Sequence, residues 1–235
     1  MFKGKKILAV IPARGGSKGI HKKNIIKING KNLLEHTFNC LNKIDKIIDK
    51  KIISSDSHEI IKYGRKFKFE IPFVRPQRLS GDRVDVKKVL LHAVKFLEQK
   101  EKSFFDIILC IEPTCPLRKS SDIMAAIKKI IMEKKDSVWS ISETDSKYHP
   151  QKQLILKKKN LDFYSNKGKK IIARQQLSKT YYRNGAVYAI SRDFLINKNK
   201  IIGKNTGYII SKNYMTSIDT MFDVKYSEWI QKNFK

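Results

Sequence analysis

Directly after an apolar run, Ile7-Leu8-Ala9-Val10-Ile11, the chain carries Ala13-Arg14-Gly15-Gly16-Ser17-Lys18-Gly19, and then Lys23-Asn24. Glycines at 15, 16 and 19 let backbone N–H groups come close to an anion, while Arg14, Lys18 and Lys23 add fixed positive charge. The chemistry this suits is the holding of a polyphosphate. The spacing matches neither G-x-G-x-x-G nor G-x-x-x-x-G-K-[ST], which argues against a Rossmann cofactor and against a P-loop motor. Standing alone, the segment would be read first as a tight strand-to-helix turn with incidental surface lysines.

A phosphate-holding loop needs rigid elements on both sides. The run 7–11, closed by Pro12, reads as a strand buried on both faces. Leu33, Leu34, Phe38 and Leu41 recur at helical spacing, and Ile52-Ile53 forms a second buried strand ending in Ser54-Ser55-Asp56. Helical spacing returns around Ile60 and Ile61, a strand is expected at 71–74, and Val86, Val89, Leu90, Ala93 and Leu97 share one helix face. A strand at 105–111 follows, then a helix capped by Asp122 and carrying Ile123, Ile127, Ile130 and Ile131, then a strand at 138–141. This alternation predicts an α/β fold with a doubly wound, mostly parallel sheet, in which ligands sit beyond the carboxyl ends of the strands. From 148 to 214 the alternation fails. That stretch, with a polar Lys157-Lys158-Lys159-Asn160 turn, is expected to be a β-rich insertion within a single domain spanning 1–235, and 223–234 closes the fold as a helix.

The formal net charge of +28 on 235 residues points by itself to nucleic acid or another polyanion. The lysines, however, are scattered from end to end with no basic tail, so a lysine-rich solvated surface is the preferred reading and no nucleic-acid partner is expected. No stretch approaches the roughly 20 apolar residues of a membrane span, so no membrane association is expected. Cys40, Cys110 and Cys115 show no CxxC pair, which suits a reducing cytoplasm. The histidines have no zinc-ligand spacing.

The stretch from Ile11 to Ile20 with Lys23-Asn24 resembles the opening motif of the acylneuraminate cytidylyltransferases, the CMP-sialic acid synthetase family that includes legionaminic and pseudaminic acid cytidylyltransferases. Further matches follow in the family's order: Ser54-Ser55-Asp56, Arg75-Pro76 with Leu79 and Asp82, Pro113-Thr114 with Pro116-Leu117-Arg118, Arg174-Gln175, Asn184-Gly185-Ala186 with Tyr188, and Ser217-Ile218-Asp219-Thr220 with Asp223. The resemblance covers nearly the whole chain. It implies a nucleotide-diphospho-sugar transferase-like fold and transfer of CMP from CTP to a nonulosonic acid with release of pyrophosphate, dependent on Mg²⁺ or Mn²⁺. It also implies a homodimer built through the β-rich segment.

By the same resemblance Arg14, Lys18 and Lys23 hold the triphosphate and stabilise the departing pyrophosphate. Ala13, Gly15, Gly16, Ser17, Asn24 and Arg75 complete the nucleotide site. Arg174 and Gln175 meet the sugar acid, and Asp219 ligates the metal, where a hard carboxylate suits Mg²⁺. Asp223 reads as part of an ordinary helix start. Two departures matter. Glu112 stands where the family commonly has Gln, adding a carboxylate that contacts the sugar, helps position the metal or is simply a solvated charge at a strand end, and Ser217 replaces an aspartate, removing a charged metal ligand. The competing readings are a nucleotidyltransferase for another sugar or alcohol, a relative that binds nucleotide without turnover, and a basic nucleic-acid-binding protein.

Overall fold

Along β1 (Ile7–Pro12) successive side chains point to opposite faces, and both faces are buried. The alternation is visible in the partners: Ile7, Ala9 and Ile11 pack with α1 (Leu33–Asn42) and α4 (Ser120–Met132) through Leu34, Phe38, Leu41, Ile123, Ile127 and Ile130. Leu8 and Val10 pack on the other side with α3 (Val86–Glu101) and α5 (Arg192–Ile196) through Leu90, Ala93, Val94, Leu97 and Phe194. Helices on both faces of one sheet are what the continuous apolar run requires.

The computed structural model describes residues 1–67, 69–212 and 214–234. Its main sheet is mostly parallel, with strand order β10-β6-β9-β5-β1-β4. The members beyond β1 are β4 (Lys50–Ser54), β5 (Ile107–Cys110), β6 (Ser137–Glu143), β9 (Tyr181–Ser191) and β10 (Thr206–Ile210). β1 is parallel to both β4 and β5, with Val10 opposite Ile52 and Cys110, while β9 runs antiparallel to β5. A short antiparallel pair, β2 (Lys27–Ile28) and β3 (Lys31–Asn32), leads into α1. α2 (His58–Lys66) follows β4, and α6 (Met221–Asn233) closes the chain.

Two local expectations are corrected. Residues 71–74 form no strand; the pairing there reduces to one parallel bridge between Ile52 and Glu70, because Pro72 and Pro76 remove ladder donors on either side. Asp122 is not the cap residue of α4 but stands one turn in, where its Oδ2 accepts the Lys119 N–H at 3.0 Å.

The chain divides into two compact units, Met1–Ser140 with Asn184–Lys235, and Ile141–Arg183. The larger holds the helices and the core just described. The smaller contains the hairpin of β7 (Leu154–Lys157) and β8 (Asn160–Phe163), with Leu154 opposite Phe163 and Lys158 at positive φ in its turn, followed by short 3-10 turns. Leu156, Leu161, Tyr164 and Ile172 are exposed on it. The stretch expected as an insertion, 148–214, overlaps this unit up to 183; residues 184–214 run in the larger unit as the rest of β9, α5 and β10. Among the described residues no helix is long and apolar enough to cross a membrane.

Candidate active site

Because β1, β4 and β5 are parallel neighbours, their carboxyl ends lie side by side. The loops leaving β1 and β5, joined by the loops before α3 and α6, line one cleft of about 320 Å³ in the larger unit. Arg14, Ser17, Lys23 and Asn24 come from the glycine-rich segment, Arg75 and Asp82 from the loop before α3, Glu112 and Thr114 from the end of β5, and Ser217 and Asp219 from the approach to α6.

Hydrogen bonds fix the loop from below. The Gly15 N–H donates to Asp56 Oδ1 at 2.9 Å, and the Asn24 side-chain amide donates to the Arg14 carbonyl at 2.9 Å. Gly19 is required by close approach: a Cβ there would lie 2.7 Å from the Asp219 carbonyl oxygen. The segment 217–219 is itself tied to the end of β5, since the Ile218 N–H donates to the Thr114 carbonyl at 2.8 Å. Asp223 belongs to a capping box with Thr220, as its sequence context indicated, and also accepts the Asp219 N–H at 3.0 Å.

The cations are arranged in pairs with carboxylates. Arg14 Nη1 lies 2.7 Å from Asp82 Oδ1, and Lys18 Nζ lies 2.9 Å from Asp82 Oδ2. Hydrogen bonding from Lys18, with the charge of both cations, holds the Asp82 carboxyl below its usual range. Lys23 Nζ lies 2.8 Å from Asp219 Oδ1. Arg75 is buried, donates to Ser80 Oγ at 3.3 Å and faces Asp56 at 3.5 Å. Burial lowers the Arg75 pKa against the opposing pull of Asp56, yet a guanidinium stays charged at any working pH.

Glu112 is positioned through its backbone. The buried Arg118 guanidinium donates to the carbonyls of Glu112 and Ala186, and its Nη1 lies 3.4 Å from Thr37 Oγ1. Arg118 therefore ties the end of β5 to β9 and α1. Gly185 has φ +75°, a conformation that favours glycine, and a Cβ there would come 3.1 Å from Glu112 Oε2. Asn184 is buried within β9, accepting the Ala186 N–H and donating to Ser211 Oγ, so Asn184 and Gly185 are held within the strand. Tyr188 packs its ring against Trp139.

Of the residues singled out from sequence, Arg14, Ser17, Lys23, Asn24, Arg75, Glu112 and Asp219 line the one cleft. Ala13 is buried in the core, Gly15 is bonded to Asp56, Gly16 has open space where a side chain would be, and Lys18 reaches the cleft through Asp82. Arg174 and Gln175 belong to the smaller unit, exposed on a 3-10 turn; Arg174 lines a pocket of that unit with Gln151 and Phe163. Sequence reasoning passed over Asp56 and Asp82 as site residues. Both carried a signal: Asp56 by its place just past the end of a buried strand, and Asp82 by its place in the motif with Arg75-Pro76 and Leu79.

The cleft's side-chain oxygen donors include the carboxylates of Asp82, Glu112 and Asp219 and the hydroxyls of Ser17, Thr114 and Ser217; Asp82 is engaged by Arg14 and Lys18, and Asp219 by Lys23. Among the described residues no three His, Cys, Asp or Glu side chains cluster as a metal cage. Such a set suits a hard cation that keeps waters and shares phosphate oxygens, and does not suit zinc. Arginine and lysine gathered against it can oppose the charge of a polyphosphate and of a leaving anion.

The family described as cytidylyltransferase matches residues 8–235. The chain is 32% identical over 228 residues to post-translational flagellin modification protein B of Campylobacter coli, covering 97% of this chain and 95% of that protein. It is 30% identical over 234 residues to a pseudaminic acid cytidylyltransferase of Campylobacter jejuni, covering 97% of each. Among solved structures, a CMP:2-keto-3-deoxy-manno-octonic acid synthetase complexed with CTP superposes with a TM-score of 0.70 at 13% identity, over 97% of this chain and 98% of that one, which establishes a shared fold.

Proposed function

Because the chain belongs to the cytidylyltransferase family, we propose that it transfers CMP from CTP to the anomeric hydroxyl of a nonulosonic, sialic-acid-like sugar acid and releases pyrophosphate. The observation that carries the reading is a single cleft in which Arg14, Lys23 and Arg75 stand beside the carboxylates of Glu112 and Asp219. The pseudaminic acid relative supports a nonulosonic acid as acceptor.

In the reaction the anomeric oxygen forms a bond to the α-phosphorus, the α–β phosphoanhydride breaks, pyrophosphate departs and the hydroxyl proton passes to solvent. The protein's task is to align these groups and neutralise charge. Arg14, Lys18 and Lys23 oppose the triphosphate and the departing pyrophosphate. Ala13, Gly15, Gly16 and Ser17 shape the loop around the phosphates, and Asn24 and Arg75 complete the nucleotide side. Glu112, Arg174 and Gln175 serve the sugar acid, the arginine suiting its carboxylate. Mg²⁺ or Mn²⁺, held by Asp219 with Ser217 and Glu112 at hand, would supply further neutralisation of phosphate charge.

The reading includes a homodimer and a cytoplasmic setting. The exposed Leu156, Leu161, Tyr164 and Ile172 of the smaller unit support association through that unit, and the buried free thiols suit a reducing compartment. The test is pyrophosphate release with CTP and Mg²⁺ across sialic, legionaminic and pseudaminic acids, with UTP, ATP and GTP as alternatives to CTP. Release with CTP and at least one of these sugars is the expected result. No release above background with any of them, or a purine triphosphate preferred over CTP, overturns the reading.

A further inference from the structure

Two fastenings join the glycine-rich loop to the segment 75–82. One is sheltered: the Gly15 N–H and the buried Arg75 share Asp56. The other is open to solvent: Asp82 gives one carboxylate oxygen to Arg14 and the other to Lys18, whose side chain is 86% exposed. The two cations read above as triphosphate ligands thus already hold an anion supplied by the protein. Exposed ion pairs of this kind are weak and exchange readily, whereas the buried pairing of Arg75 is not accessible to a ligand in the same way.

We propose that Asp82 is an internal stand-in for phosphate, occupying Arg14 and Lys18 between turnovers and giving them up only to a ligand that brings a polyphosphate to the loop. The inference rests on the reading of this cleft as a CTP site. A ligand that needs the cations free binds only the opened form, so its apparent Kd is raised by the inverse of the fraction open. CTP and pyrophosphate both meet that cost. CMP, whose single phosphate does not replace the leaving group, does not meet it. The carboxylate returning to Arg14 and Lys18 as pyrophosphate leaves also limits rebinding of product. Ground-state affinity for CTP is lowered in exchange for faster clearance of the site.

The test compares the full chain with Asp82→Asn and Asp82→Ala by isothermal titration with three probes, inorganic pyrophosphate, CTP and CMP, each at low ionic strength. Both substitutions keep an exposed loop position and remove the charge. The expected result is pyrophosphate and CTP bound about tenfold more tightly by both variants, CMP bound as by the parent, and stronger product inhibition by pyrophosphate. Asp82→Glu, which restores the charge, is expected to return pyrophosphate affinity toward that of the parent. Pyrophosphate bound equally or more weakly by Asp82→Asn and Asp82→Ala overturns the inference, as does an equal tightening of CMP. The pyrophosphate titration needs neither sugar nor turnover. A parent that fails to turn over CTP therefore sinks the proposed function alone, while a parent active with CTP but unaffected at residue 82 sinks the stand-in alone.

Discussion

Lys23 and Asp219, 196 positions apart in the chain, meet through Nζ and Oδ1 at 2.8 Å within the lining of the cleft. The lysine side chain is 17% exposed and the carboxylate 68%, so the cation is sheltered and the anion faces solvent, open to a second cation. Gly19 packs against the Asp219 backbone, and Ile218 is bonded to Thr114, so this acid is set by the same loops that line the cleft with Arg14 and Lys23.

Asp219→Asn is expected to abolish most activity and Ser217→Asp to preserve or improve it, because one carboxylate and water are a sparse anchor for a hard ion. Asparagine keeps the size and removes the charge. Glu112→Gln decides whether the second carboxylate in the cleft shares the ion, by raising the Mg²⁺ requirement if it does. The measurement is kcat/KM against Mg²⁺ concentration for the three variants. Full activity of Asp219→Asn in chelator would remove the metal assignment.

Lys18→Ala is expected to lower kcat by about a hundredfold, the scale of removing one preorganised electrostatic donor, with stability changed by less than about 0.5 kcal/mol. Its ammonium contacts Asp82 and supports no core. Steady-state kinetics and a thermal melt on the same preparation check both halves. Equal kcat in variant and parent would reduce the loop to a turn.

Gly19→Ala and Gly16→Ala are expected to separate the two uses of glycine in the loop. At 19 the added methyl meets the Asp219 carbonyl, and the forced shift is expected to cost about 1–3 kcal/mol and to raise the Mg²⁺ requirement by displacing the acid. At 16 nothing lies within 4 Å, so stability should be nearly that of the parent. Urea unfolding midpoints for the pair provide the comparison, and equal midpoints would contradict the packing argument.

The three cysteines are expected to resist a thiol reagent in the native protein and to react together on unfolding, since Cys40, Cys110 and Cys115 are all buried. Burial pushes Cys115 up from 9.0 to about 11, and raises Cys40 and Cys110 as well. The native fold therefore keeps a proton that the unfolded chain gives up above pH 9. This contribution to stability is complete below that pH and declines as pH rises toward 11. Labelling with Ellman's reagent at pH 8, with and without denaturant, is the check; rapid native labelling would show the burial to be wrong.

Much of this protein could be read locally. The apolar run of β1 specifies a strand covered on both faces, the helical spacing of α1, α3 and α4 is complete within each segment, and Thr220 with Asp223 announces the start of α6. The glycine-rich loop was legible as a cleft-lining segment for the same reason, because glycines and cations at short spacing act through their own backbone and charge. Where prolines cut the ladder, at 71–74, apolar content alone misled.

What only the tertiary structure decided are the pairings across long separations. No pattern in the chain links Lys23 to Asp219, Asp56 to Gly15 and Arg75, or Arg118 to Ala186 and Glu112. Nor does any pattern place Asp82 on Arg14 and Lys18. Side-chain type and spacing fix the period of an element and the charge of a loop, but an ion pair depends on which loops the parallel order of β1, β4 and β5 brings to one edge. That order arises from packing apolar faces on both sides of the sheet, a global condition satisfied by residues far from the site.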